Sequence, residues 1–217
     1  MLEFGIPRPR NRPLRILCLG AHCDDIEIGC GGTILKIAGK GRPVHVTWVV
    51  FASTPVRGRE AHASAREFTR RAPGSQIIVK DFRDGFLPYT GGDVKDFFEE
   101  LKDAVDPDLI FTHYRFDLHQ DHRLICELTW NTFRHHLILE YEVPKYDGDL
   151  GQPNVFVPLD ATTSRRKVRL ILKHFQSQRS KHWLTENTLV SLLSLRAVES
   201  GSRAKYAEAF YCRKLLL

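Results

Sequence analysis

The chain has 217 residues, 32 Lys or Arg against 26 Asp or Glu, and a formal net charge of +6. That length suits one domain with a substantial core and no disulfide support, and no apolar run reaches the roughly 18 residues a membrane helix needs. The five cysteines, at 18, 23, 30, 126 and 212, lack C-x-x-C spacing, which argues against a structural zinc cluster. With no leader pattern evident, reduced thiols in a cytoplasmic protein are the expectation.

Residues 1–13 carry Pro7, Pro9 and Pro13 among arginines and read as an extended arm on a single domain spanning 1–217. The apolar run 14–19, bounded by Pro13 and Gly20, predicts a buried parallel strand. It delivers His22, Asp24 and Asp25 to its carboxyl end, where open α/β sheets place their chemistry. Gly29, Gly31 and Gly32 lack the G-x-G-x-x-G spacing of a dinucleotide loop and are expected to let the backbone approach the polar loop closely. A short helix is expected over 33–39, a strand over 44–51, a charged helix over 57–71 and a strand over 76–79. Val94, Phe97, Phe98, Leu101 and Val105 recur at helical spacing and predict a helix over 93–105.

Residues 106–113 read as another buried strand, which runs into a second polar loop holding Asp117, His119, Asp121 and His122. A helix is expected to continue from there to 136, followed by strands over 137–143 and 154–159 and a basic helix beginning at Asp160. Strands alternating with helices as far as 113 specify an α/β fold, a Rossmann-like, mostly parallel sheet flanked by helices. No repeat, low-complexity segment or linker divides the chain.

Two carboxylates beside a histidine repel one another unless a cation lies among them. For the first loop alone, helix capping is a sufficient alternative. The second loop changes the balance, because it falls on the same sheet edge and sets His119 and His122 three apart on one helix face. Imidazole mixed with carboxylate is the donor set of a catalytic zinc site.

Ala21-His22-Cys23-Asp24-Asp25, followed by Ile26-Glu27-Ile28-Gly29-Cys30-Gly31-Gly32-Thr33 and later by Asp117-Leu118-His119-Gln120-Asp121-His122, resembles the PIG-L/LmbE family of zinc-dependent N-deacetylases. These act on N-acetylglucosamine conjugates. Weaker matches run through Arg57, Glu60, Asp84-Gly85, Tyr141-Glu142, His174, Gln178 and Tyr206-Ala207-Glu208. Cys23 stands where the family usually has proline. The resemblance implies zinc, or another divalent metal, on His22, Asp25 and His122, and Asp24 as general base. It further implies that His119, at least partly protonated, stabilises the oxyanion, that Asp121 holds the His119 ring, and that Arg57 and Asp84 line the sugar pocket. The implied substrate is an amino-sugar conjugate cleaved by metal-activated water. Another N-acyl sugar amide remains an alternative, and homo-oligomerisation stays open.

Between positions 161 and 185 stand seven Lys or Arg and no Asp or Glu, a run suited to an anionic substrate feature or surface, or to solvation alone. Without aromatic stacking motifs, nucleic acid is a poor fit. Two other classes compete. A nucleotide-binding oxidoreductase would need a phosphate loop directly after the first strand, where the acidic residues 24 and 25 would repel phosphate. A non-catalytic sugar-binding module predicts a missing base or ligand, whereas every motif position is filled.

Overall fold

The computed structural model describes residue 5 and residues 12–39, 41 and 43–216. Strands β1 (Leu14–Gly20), β2 (Val44–Ala52), β3 (Gln76–Phe82), β4 (Leu109–His113), β5 (Leu137–Tyr141), β6 (Val155–Leu159) and β7 (Tyr206–Cys212) form one sheet in the order β3-β2-β1-β4-β5-β7-β6. The first five are parallel, in register from Leu14 opposite Val44 to Gly20 opposite Val50. β7 inserts antiparallel between β5 and β6. The order reverses between β1 and β4, and the crevice at such a reversal is where sheets of this kind bind ligands.

Both sheet faces are covered, which is why the strand sequences are apolar runs and not alternations. Ile16 and Cys18 of β1 belong to a core shared with helices α1 (Asp25–Ala38), α2 (Pro55–Phe68), α5 (Ala161–His174) and α6 (Glu186–Glu199), through Ile26, Phe68, Ile171 and Leu193. Leu17 and Leu19 point the other way, into a core with α3 (Gly91–Ala104) and α4 (Gln120–Thr132) that contains Phe51, Phe98 and Ile125. Among the described residues no helix is long and apolar enough to cross a membrane.

Several expectations need correction. The first helix starts at Asp25, not at 33, so the glycines lie inside it and serve packing against it. A Cβ on Gly29 would run into the Tyr141 ring, and one on Gly31 would come within 2.6 Å of Phe68. The fourth helix ends at Thr132, leaving His135 and His136 beyond it. Neither α6 nor β7 was anticipated. The Leu-rich α6 shows no clean polar stripe, and Glu208 interrupts the apolar run of β7. The expected arm over 1–13 lies mostly outside the described residues, though the Arg12 guanidinium donates twice to the Asp108 carboxylate, at 2.6 and 2.5 Å. The basic run also has counter-charges: Lys167 is buried against Glu208 at 2.6 Å, and Lys173 lies 4.0 Å from Glu67.

Candidate active site

The short turn after β1 and the loop after β4 meet at the sheet reversal. The His22 backbone N–H donates to Asp25 Oδ2 at 2.6 Å, closing the first loop onto the first turn of α1. Asp24, the N-cap, sits at φ 118°, the left-handed side of the map that non-glycine residues avoid. Such strain is held in place only by surrounding contacts and is concentrated at functional sites. The two adjacent carboxylates have different partners, Arg57 for Asp24 and the imidazoles of His22, His113 and His122 for Asp25.

Three overlapping groups of donors, the atoms of each lying within 4.8 Å of one another, could hold a metal: His22, His119 and His122; Asp25, His113 and His122; and His22, the exposed Asp84 and Asp121. The best-shaped set crosses these groups. His22 Nδ1 lies 3.1 Å from His122 Nε2 and 3.4 Å from Asp25 Oδ2, and His122 Nε2 lies 3.5 Å from that same oxygen. Donors at about 2.0–2.1 Å from a tetrahedral zinc stand about 3.3–3.4 Å apart, so this triangle has the edges a zinc ion requires. The other ring nitrogens are engaged behind it. His22 Nε2 faces Asp121 Oδ2 and Asp84 Oδ1, each at 3.1 Å, and His122 Nδ1 faces Asp117 Oδ2 at 2.8 Å. Carboxylates in these positions fix the tautomer that leaves the inner nitrogen free as a ligand.

The electrostatics show a site that demands positive charge. Burial opposes a charge on His22, yet hydrogen bonds to Asp121, Asp25 and Asp84 outweigh it and hold the imidazole well above its ordinary pKa. Burial likewise opposes the Asp25 carboxylate, but His122 and His113 hold it well below its ordinary value. Asp24 is pushed up to about 7, by burial first, with the Arg57 guanidinium pulling the other way from 3.0 Å.

The second loop departs from expectation in two ways. The Asp121 carboxylate does not hold the His119 ring. It faces His22 and accepts from the backbone N–H groups of Gly85, at 2.8 Å, and Leu87, at 3.2 Å, binding the β3–α3 loop to the site. It is the Asp121 backbone N–H that donates to His119 Nδ1, at 3.2 Å, with His119 as N-cap of α4. Burial and the neighbouring His22 hold His119 below its ordinary pKa, contrary to the expected partial protonation. Arg57 and Asp84 do reach the site. Arg57 donates to the Cys23 carbonyl and pairs with Asp24, while Asp84, with 61% of its side chain exposed, stands at the mouth.

His113 was read as a strand end. It is also fully buried against the cluster, its ring stacked on His122 at 3.8 Å and its Nε2 3.3 Å from Asp25 Oδ2, accepting from the Ala21 N–H. Nothing in its spacing could have shown this. Asp117 did carry a signal, two residues ahead of His119, to which no role was attached. His174 ends α5 and Gln178 follows in a short turn, where Ser177 bonds Glu60, and neither meets the cluster among the described residues.

A doubly covered, mostly parallel sheet with a buried imidazole–carboxylate cluster at its reversal is an α/β scaffold whose donor set could hold a metal ion at the edge where such sheets bind their ligands. A profile of the PIG-L family, described as GlcNAc-PI de-N-acetylase, matches residues 17–133, more than half of the chain, and the chain belongs to that family. An uncharacterized deacetylase, YaiS of Escherichia coli, is 26% identical over 151 residues, covering 66% of this chain and 82% of YaiS. The N,N'-diacetylchitobiose deacetylase of Pyrococcus horikoshii superposes with a TM-score of 0.67 at 22% identity, over 96% of this chain and 87% of that one. GalB of Pseudomonas putida, a 4-carboxy-2-hydroxymuconate hydratase, superposes with a TM-score of 0.74 at 17% identity, over 94% and 97%. At these identities the solved structures establish the fold alone.

Proposed function

We propose that the protein is a zinc-dependent hydrolase that removes the N-acetyl group from an N-acetylglucosamine-type conjugate. The observation that carries this reading is the triangle of His22 Nδ1, Asp25 Oδ2 and His122 Nε2, with a separate buried carboxylate, Asp24, beside it. The donor set fits zinc, and these three residues would hold it. A bound cation would polarise the amide carbonyl and lower the pKa of water from about 15.7 to about 7.

Asp24 takes the proton of the attacking water and returns it to the leaving nitrogen. Arg57 steadies the ionised form of Asp24 and fixes the direction of its oxygens. His119 acts as a neutral donor: its Nδ1 accepts from the backbone, which leaves the ring proton on Nε2 to hydrogen-bond the oxygen that gains charge. Asp121 holds His22 from behind, and the exposed Asp84 at the mouth accepts from sugar hydroxyls.

The deacetylase names among the similar proteins support the reaction class, and GalB supports an alternative, because the same scaffold can direct activated water at a carbon–carbon double bond. The test is to incubate the zinc-loaded protein with a panel of N-acetylglucosamine conjugates and measure free amine and acetate. Equimolar amine and acetate from any member supports the proposal. No amine from the panel, with hydration of an unsaturated acid instead, would replace it.

A further inference from the structure

Behind the metal triangle stands a buried charge relay that ties it to the β5–β6 connection. Asp117 is 2% exposed, and both of its oxygens are committed to the second histidine loop. Oδ1 accepts from the His119 backbone N–H at 2.8 Å, and Oδ2 accepts from His122 Nδ1 at 2.8 Å. One carboxylate therefore sets the ring of His122 and the backbone from which the His119 side chain projects. Oδ2 carries a second bond, from Lys145 Nζ at 2.9 Å. Lys145 also bonds Asp149 Oδ2 at 2.5 Å, and that oxygen accepts from the Leu118 N–H at 2.7 Å. Both Lys145 and Asp149 belong to the connection between β5 and β6, and their side chains are only 10% and 5% exposed.

Resting on the metal reading above, we infer that Asp117 is the positioning residue that presents His122 Nε2 to the cation, and that Lys145, held by Asp149, keeps it in place. A carboxylate at Nδ1 requires the ring proton there, so Nε2 is left with its lone pair directed at the triangle. With the proton on Nε2 instead, His122 could not ligate. A desolvated carboxylate needs a cation or several donors to remain where it is. Lys145 supplies that charge to Asp117 and Asp149 together. Without it, two nearly buried carboxylates face each other across the vacated space and repel, and the Asp117 oxygen moves off His122. The β5–β6 connection, outside both metal loops, thereby sets the quality of one ligand.

The experiment measures zinc affinity by competition with a chelating indicator on wild type, Asp117→Asn, Lys145→Met and Lys145→Arg. The same proteins, metal-free and with labelled histidines, give the His122 ring tautomer by nitrogen NMR. The expected result is a 10- to 100-fold loss of zinc affinity in Asp117→Asn, the scale on which partners behind metal-ligating histidines act. A smaller loss is expected in Lys145→Met, with recovery in Lys145→Arg. The metal-free wild type should hold the proton on Nδ1, and both weakened variants should shift it towards Nε2. Variants that lose thermal stability but keep wild-type zinc affinity and tautomer would overturn the inference and leave the relay as packing. If the wild type binds no divalent metal, the metal reading fails, and the tautomer data alone support or overturn the positioning role.

Discussion

The centre of the sheet, where the site lies open, and its closed antiparallel end hold their charges in opposite ways. At the reversal between β1 and β4, carboxylates and imidazoles crowd together, and against its burial, hydrogen bonds to Asp121, Asp25 and Asp84 hold His22 well above its ordinary pKa. At the antiparallel end, buried charges come already paired. Lys167 meets Glu208 at 2.6 Å and donates to the Ile28 carbonyl, while the Arg196 guanidinium grips Glu142 at 2.6 and 2.8 Å. Glu208 also accepts from the Gly32 and Thr33 N–H groups of α1. The lesson is that burial of charge does not by itself mark function, since a buried ion pair can serve packing alone. The closed pairs brace α1 and α5 against β7 and α6 against the residue that follows β5, whereas the open cluster holds donors that could bind an ion.

Four perturbations sharpen this contrast. The largest is at the open end: Asp24→Asn keeps the shape but cannot take a proton, so kcat should fall by about 10²- to 10⁴-fold with zinc still bound. Loss of zinc in this variant would move Asp24 into the ligand set. Next is the closed end, where Lys167→Met leaves Glu208 buried without its cation and should cost about 3–5 kcal/mol in denaturant unfolding. Zinc affinity of the folded fraction should stay at the wild-type value, and a matching loss of affinity would mean that the two ends are not separate.

The third is His119→Ala, which removes one donor to the developing oxyanion and should lower kcat by about 10²- to 10³-fold with little change in KM. Because His119 is held below its ordinary pKa, the alkaline side of the pH–rate profile should keep its shape in this variant. Disappearance of an alkaline limb would restore the charged imidazole that the sequence suggested. The smallest effect is at the Asp108 clamp. Its carboxyl is held below the ordinary value by hydrogen bonding to Arg12, so its contribution is present above the unfolded pKa of about 3.9 and is lost as pH falls through the folded value. Asp108→Asn should flatten only that acid arm of the unfolding curve, and an unchanged arm would show the clamp to be energetically silent.

Much of the open end was legible beforehand, because its signals are local. An apolar run followed by His22, Asp24 and Asp25 names a strand and the sheet edge at which the cluster gathers within a dozen residues. What stayed hidden depends on contacts distant in sequence. His113 is an ordinary strand terminus until α1 brings Asp25 against it, and the partner of Asp121 proved to be His22 and not its near neighbour His119. The closed end was harder still. Lys167 read as one more cation in a basic run, and β7 went unseen because Glu208, its buried anchor, resembles an exposed residue in the sequence alone.

Whether one divalent cation sits among His22, Asp25 and His122 is decided by zinc content per chain, measured by atomic spectroscopy after chelation and reloading. The wild type should carry one zinc per chain, and each of His22→Ala, Asp25→Ala and His122→Ala far less than one, with their circular dichroism unchanged. Folded variants that each retain a full equivalent of zinc would contradict this ligand set.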